Sequence, residues 1–365
     1  MAFLMPRIEI TLSKIQYNAQ FLCNFYGRQK IDLMGVSKAV LGNPLVAEAM
    51  ILGGVKFIAD SRIENIQKMR KAGILTQFVL LRTPLSQAES VIQNVDISLN
   101  TELRTIKELS HYAVQHNKVH QIIVMVELGD LREAILPKDL SQFVKDADAL
   151  SNIQIIGLGC NLACYGGIKP DNAKMRQLSA LTHSIEKELQ INLAIISGGN
   201  SANYDWYEST QDVGRINNLR LGESILLGHE TAHRKPIPGL DTGAFKLVAE
   251  VIESKKKPSL PSGTSCQDAF GNNSSQYSDQ GIHQRVIIAL GIQDVLISGL
   301  SPLDDLEILG ASSDHIILEE RNTHFPVGSE VTFGLTYGGL LAAMTSPFIK
   351  KHFIGCPDSL LPLVS

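Results

Sequence analysis

The chain has little that would point to a membrane, a disulfide scaffold or a nucleic acid. No apolar run reaches the ~18 residues needed to span a bilayer, and Met1–Arg7 lacks the charged segment and long apolar core of a signal peptide. The five cysteines, Cys23, Cys160, Cys164, Cys266 and Cys356, are odd in number and contain no Cys-x-x-Cys pair. Reduced thiols in a cytoplasmic protein are therefore expected. A formal net charge of -4 excludes a broad basic field for nucleic acid. The one short basic run, Lys255-Lys256-Lys257, precedes Pro258 and reads as a solvated loop. There is also no Gly-x-Gly-x-x-Gly after the first strand-like segment, which removes the usual support for a dinucleotide-binding open sheet.

What is present is a long series of short apolar runs. At 365 residues, 44% hydrophobic and 19% charged, the chain fits two soluble globular domains. Eight runs read as buried strands: 33–38, 55–60, 77–82, 96–100, 121–127, 153–160, 193–197 and 219–222. Amphipathic segments such as 102–116 and 171–189 lie between most of them. Each run ends on or beside a polar residue, in order Lys38, Asp60, Arg82, Asn100, Glu127, Asn161, Ser197 and Arg220. Eight such units in about 220 residues predict an α/β fold, an N-terminal (β/α)8 TIM barrel with its chemistry at the carboxyl ends of the strands. Beyond Lys235-Pro236-Ile237-Pro238 the long helices stop. A C-terminal mostly β domain is expected there, giving domains 1–236 and 237–365, with residues 1–10 able to pack with the second. Residues 258–283, rich in Ser, Gly, Asn and Gln, read as a long loop.

Three stretches carry chemistry. Lys38 closes the first apolar run, where poor hydration would lower its pKa and free the amine for Schiff-base formation. A lysine snorkelling from a strand end to solvent is the other reading. Ser197-Gly198-Gly199-Asn200-Ser201-Ala202-Asn203 and Leu219-Arg220-Leu221-Gly222-Glu223-Ser224 end the last two runs with glycines and polar donors. In barrels a phosphate commonly sits between those two loops. A single Gly-rich turn is usually only a turn. An amine and a phosphate cradle in one barrel together suggest pyridoxal 5'-phosphate.

The order of Lys38, the turn 128–132, Asn161 to Gly167, Ser197 to Asn203 and Leu219 to Gly228 resembles the alanine racemase superfamily, the fold-type-III pyridoxal phosphate enzymes. Segments 291–295, 308–315 and 340–347 resemble its ornithine racemase branch. The resemblance implies a cofactor-binding set of Lys38, Arg132, Asn161, Ser197, Asn200, Ser201, Arg220, Gly222, Glu223 and Tyr337. Within it Lys38 would bond the cofactor aldehyde, and Ser201, Tyr337 and the backbone of Gly222 and Glu223 would hold the phosphate. Arg220 would face the pyridine nitrogen, and Arg132 the phenolic oxygen or the substrate carboxylate. It also implies a homodimeric amino-acid racemase acting on ornithine, another basic amino acid or alanine.

Departures from the family pattern are specific. Met125 stands where alanine racemases carry a carbamylated lysine, Cys160-Asn161 where they carry Thr-His, and Ile292 where they carry the second catalytic base, a tyrosine. Asp314 and His315 are the candidates for that second acid/base; a loop pair that only hydrogen-bonds locally is the alternative. No metal is expected, since Ile317 occupies the position where zinc-dependent relatives place a ligand. A distal substrate ammonium would need an acidic partner, with Glu127, Asp130, Glu230 and Asp268 available. A non-catalytic pyridoxal phosphate carrier and a lyase or decarboxylase on the same fold are the rival functions.

Overall fold

The structure is a computed structural model describing residues 5–267, 270–271 and 279–355. Two compact units make up the chain. One is Leu12–Thr242; the other joins Gly243–Gly355 to the strand that precedes Leu12. That strand is β1 (Arg7–Thr11).

The first unit is a closed parallel barrel of eight strands, as the eight apolar runs predict. They are β2 (Asp32–Val36), β3 (Phe57–Asp60), β4 (Gln77–Leu80), β5 (Ile97–Asn100), β6 (His120–Met125), β7 (Ile153–Gly159), β8 (Ile195–Ser197) and β9 (Asn218–Leu221). The ring closes where Leu33 and Met34 pair with Leu219 and Arg220. Its interior is filled by Met34, Val36, Ala59, Val79, Ile97, Leu99, Ile123, Met125 and Ile156. Burying each Val, Leu, Ile or Met contributes roughly 1.5–3 kcal/mol relative to exposure, so the barrel is a packed core rather than a channel.

One expectation shifts. β2 stops at Val36, and Lys38 begins a short 3-10 turn, Lys38–Val40, instead of ending the strand. Ser37 N still donates to Ala59 O at 2.9 Å, but its hydroxyl turns to the Asp60 carboxylate at 2.7 Å. Leu41 and Gly42 then close the turn at φ 54° and 55°. The helix Pro44–Leu52 follows, with Asn43 accepting from Leu45 N and Val46 N as its N-cap.

The second unit is an antiparallel sheet ordered β12-β15-β10-β11-β14-β13. Its strands are β10 (Phe245–Pro258), β11 (Ile282–Ile288), β12 (Leu300–Pro302), β13 (Leu306–Ala311), β14 (Ile316–Glu320), β15 (Glu330–Leu335) and β16 (Lys350–Ile354). β1 joins it, antiparallel to β10 and parallel to β16. Arg7, buried, ties the N-terminal strand down with a two-pronged bond to Glu330 at 2.9 and 2.8 Å. The Lys255–Lys257 run is strand and not loop. It pairs with β11 up to Pro258↔Ile282, and Glu253 binds both Lys255 and Lys257. A proline ends the strand because it has no N–H for the ladder. Among the described residues no helix is long and apolar enough to cross a membrane.

Between the barrel and its helices lies a buried polar line. His120, 2% exposed, shares a 2.8 Å bond with the Ser98 hydroxyl, which also accepts from Asn100 at 2.8 Å. Burial, helped by Lys118, pushes the His120 imidazole down from 6.5 to about 4. Between those two values the unfolded chain takes up a proton that the folded chain refuses, so stability falls as pH drops through that window. At about 1.36 kcal/mol per unit the full loss is about 3 kcal/mol. Urea unfolding at pH 7 and pH 4.5 checks this: His120→Gln should remove most of that loss.

Candidate active site

The site is built at the carboxyl ends of the barrel strands, and the direction of each side chain follows from strand parity. In β6 Ile123 and Met125 point into the barrel; two residues on, Glu127 continues that face. In β7 a bulge intervenes. Ile122 pairs with Ile155, but Ile123 pairs with Gly157 and Met125 with Gly159. The extra residue, Ile156, packs in the interior, and the parity of everything after it is reversed. In a regular strand of the same residues Asn161 would face the helices; with Ile156 taken up as a bulge it faces the mouth, beside Arg220. Gly157 is demanded by the same feature, because a Cβ there would lie 2.0 Å from Ile195 O.

Asn161 meets Arg220, which belongs to β9 and is buried. The guanidinium donates to Ser197 Oγ at 2.6 Å, to Cys160 O at 2.8 Å and to Asn161 Oδ1 at 3.4 Å. Ser197 in turn donates to Asn218 Oδ1 at 2.7 Å. All of these acceptors are neutral. Burial therefore lowers the Arg220 pKa from its ordinary value, although a guanidinium stays protonated and remains a donor. Asn161 Nδ2 is buried with no hydrogen-bond partner, a donor without an acceptor in the centre of the mouth.

Lys38 is half-buried, two residues beyond the end of β2. Burial holds its amine below the ordinary lysine value; Arg132 and Arg220 push the same way, while Cys164 and Asp60 oppose them. Those four groups thus share its electrostatic surroundings. The backbone at Lys38 is fixed from outside the barrel by Asp60, fully buried, which accepts from Ser37, from Arg62 N at 3.0 Å and from Asn65 at 2.9 Å.

The loops after β8 and β9 are bonded to each other. Ser201 Oγ lies 3.0 Å from Ser224 Oγ and accepts from Ser224 N at 3.2 Å. Asn200 donates to Asn161 Oδ1 at 3.1 Å and Leu162 O at 2.8 Å, and its own backbone N–H goes to Asn203 at 3.0 Å. Gly199 has φ 140°, and a Cβ there would stand 2.3 Å from Asn203 Oδ1. Gly222 caps the short helix Glu223–Leu227, whose first backbone N–H groups have no intrahelical acceptor. The Glu223 side chain is paired with Arg234, and burial raises its pKa against that pairing. Arg132, exposed, is paired with the adjacent Glu133.

The remaining predicted residues belong to the sheet unit. Asp314 and His315 form the turn between β13 and β14, where His315 Nδ1 lies 2.9 Å from Asp314 Oδ1. The His315 contact and the hydroxyls of Ser313 and Ser312 hold the Asp314 carboxyl below its ordinary range. Ile292 is 42% exposed on the turn that bonds to this one, through Ile292 N to Ser312 O at 3.0 Å. Tyr337 opens the helix Tyr337–Thr345 behind the Thr336 N-cap.

Residues 10–229 match the family described as alanine racemase, N-terminal domain. The chain is 41% identical to the ornithine racemase of Acetoanaerobium sticklandii, covering 96% of this chain and 99% of that one. It is 37% identical to the lysine racemase of Thermotoga maritima, over 95% and 98%. The chain belongs to the alanine racemase family. It falls in the branch of that ornithine racemase. Among solved structures, an alanine racemase from Streptomyces lavendulae superposes with a TM-score of 0.76 at 15% identity, covering 98% and 99%. That likeness concerns the fold.

In this member of the family the barrel brings together Lys38, Arg132, Asn161, Ser197, Asn200, Ser201, Arg220, Gly222 and Glu223. Of the four acids, Asp130 spends its carboxylate on Cys164 N (3.3 Å) and Tyr165 N (3.0 Å). Glu230 spends its own on the amides of Ala232, His233 and Lys235. Asp268 lies outside the described residues. Sequence reasoning missed Asn65 altogether and the supporting roles of Asp60, Ser224 and Asn203, although Asp60 closes the second apolar run and the other two lie within the polar strand-end stretches. Changing Gly157 to alanine should cost about 3 kcal/mol, or roughly 6–12 °C in Tm, since the neighbouring strand cannot retreat; a thermal melt checks it.

Proposed function

We propose that the protein is a pyridoxal-phosphate-dependent racemase of basic amino acids, working as a cytoplasmic homodimer. The observation that carries this reading is the pairing, in one barrel mouth, of a half-buried amine at Lys38 with a buried guanidinium at Arg220 held by neutral acceptors. Identity of 41% to an ornithine racemase and 37% to a lysine racemase over nearly the whole chain supports the substrate class.

The residues present fit the cofactor. An amine with a lowered pKa, an unpartnered buried donor at Asn161 Nδ2 and a hydroxyl-and-amide cradle at Ser201 and Glu223 match an aldehyde, a ring and a phosphate. When bound, pyridoxal phosphate supplies an aldehyde for the substrate amine and a ring that draws electrons from the α-carbon. Lys38 anchors that aldehyde and holds or returns the α-proton at Nζ on its own face. Ser201 and the N–H groups of Gly222 and Glu223 bind the phosphate, with Tyr337 assigned to the same task by family resemblance. Arg220 can only donate, so it would offer its hydrogen bond to an unprotonated pyridine nitrogen and leave the ring a weak electron sink, suited to brief, reversible proton transfer. Ser197 and Asn200 orient Arg220 and Asn161, and Arg132 neutralises the phenolic oxygen or the substrate carboxylate.

The opposite face needs a second acid/base, and Asp314 or His315 is proposed for it, because the family tyrosine is replaced by Ile292. The Asp314 carboxyl, held below its ordinary range by His315 and the neighbouring serine hydroxyls, is kept charged and able to accept a proton.

Incubation with single L-amino acids in deuterium oxide tests the reading. The wild type should exchange the α-proton of L-ornithine and form the D-enantiomer. A keto acid or carbon dioxide would mean a lyase, and no exchange at all a carrier. Lys38→Ala should lose the visible absorption band of the bound cofactor and slow exchange at least about a thousandfold. Of Asp314→Asn and His315→Gln, the one that removes the opposite-face base should keep exchange of one enantiomer while losing inversion. If both invert at the wild-type rate, neither residue is that base.

A further inference from the structure

We infer that Glu127 is the carboxylate that receives the side-chain ammonium of the substrate and so sets the preference for basic amino acids. This rests on the racemase reading above and adds to it the residue that chooses the substrate.

Three features of the mouth lead to Glu127. The first is position. Glu127 follows β6, and Lys38 follows β2; in the ring order β2-β3-β4-β5-β6-β7-β8-β9 these strands stand opposite each other. A basic amino acid whose α-amine is held on the Lys38 side projects its three- or four-carbon arm across the mouth, so its acceptor belongs on the far wall. The second is direction. Glu127 continues the inward face of Ile123 and Met125, and its charge raises the pKa of Cys160, the residue beside Asn161 whose carbonyl binds Arg220.

The third is what the carboxylate has left to give. Oε1 accepts from Gly129 N at 2.5 Å and from Leu131 N at 3.1 Å, and these two bonds fix the side chain. Oε2 has no partner among the described residues, and the side chain is half-buried. The other carboxylates named above in the barrel unit are committed: Asp130 and Glu230 to backbone amides, Asp60 to Ser37 and Asn65, Glu133 to Arg132, Glu223 to Arg234. Glu127 is therefore pre-oriented at one oxygen and open at the other. A charge-assisted bond from an ammonium to such a fixed carboxylate discriminates well against a methyl group of similar size, which would leave the oxygen desolvated and unpaired.

The test compares L-ornithine with L-norvaline, which has the same carbon chain without the ammonium. Both kcat/KM for racemisation and calorimetric Kd for the holoenzyme are measured, with the cofactor band and circular dichroism confirming a loaded, folded protein. Glu127→Gln keeps a carbonyl oxygen for the Gly129 and Leu131 amides and replaces the open, charged oxygen by a neutral NH2 group, which cannot accept from an ammonium. It should lower the ornithine-to-norvaline ratio at least tenfold in both readouts. Glu127→Asp, with its charge retained, should recover part of the ratio. A Glu127→Gln variant that weakens both amino acids equally, or that keeps the wild-type ratio, overturns the assignment while leaving the racemase reading intact. A wild type that treats ornithine and norvaline alike overturns the basic-substrate reading, and the role of Glu127 with it.

Discussion

The rest of the mouth depends on a cation that has been removed from water without being given a carboxylate. Arg220 is buried, and its guanidinium donates to a serine hydroxyl, a backbone carbonyl and an amide oxygen. Burying a charge is costly unless its hydrogen bonds are replaced, so each of those acceptors must be held in place by something else. Ser197 is held by Asn218, Asn161 by Asn200, and Cys160 by its backbone N–H, which donates to Ser197 O at 3.0 Å. Cys160 Sγ, whose pKa burial raises to about 12, remains a neutral thiol and donates to Gly198 O at 3.2 Å. Placing an aspartate or glutamate beside Arg220 would have met its charge more cheaply. It would also have drawn the guanidinium away from any neutral ring nitrogen, so neutral acceptors preserve its capacity as a donor.

Much of this was legible in the chain because strands buried on both faces leave a strong mark. Eight apolar runs, each closed by a polar residue, correspond to the eight barrel strands, and Lys38, Ser197, Asn161 and Arg220 stand at the ends of their runs. The site was less legible wherever geometry turned on a single backbone event. Ile155 and Ile156 are two apolar residues in a row, and a fully buried strand reads that way with or without a bulge. Nothing in their identity says that parity reverses between them. Arg82 closes its run as Asp60 and Asn100 close theirs, yet it is exposed, whereas Asp60 and Asn100 are buried behind the barrel wall. Lys255–Lys257 misled for the opposite reason. Three successive lysines before a proline resemble a solvated loop, and the partner that makes them a strand, β11, lies beyond a long polar segment.

Carboxylates divide the labour of the barrel mouth in a way composition does not reveal. Most serve as acceptors for backbone N–H groups, shaping the loops at 129–131, 164–165 and 232–235. Side chains of this kind are rigid, since losing a buried acceptor costs about 1–3 kcal/mol or more for a charged group. These loops are thereby fixed by polar contacts as well as by hydrophobic packing.

The bulge at Ile156 makes the barrel unusually intolerant of one kind of change. In most βα units a gained or lost residue can be absorbed by a loop, with the strand sliding back into its former frame. In β7 the surplus residue sits inside the ladder itself, immediately before Gly157, where a Cβ would meet Ile195 O. Straightening the bulge with every residue kept would leave hydropathy, and with it the fold, untouched while turning Asn161 away from Arg220. Two proteins of this architecture could thus share every strand and still differ in which residues meet the ligand, through the placement of one supernumerary isoleucine.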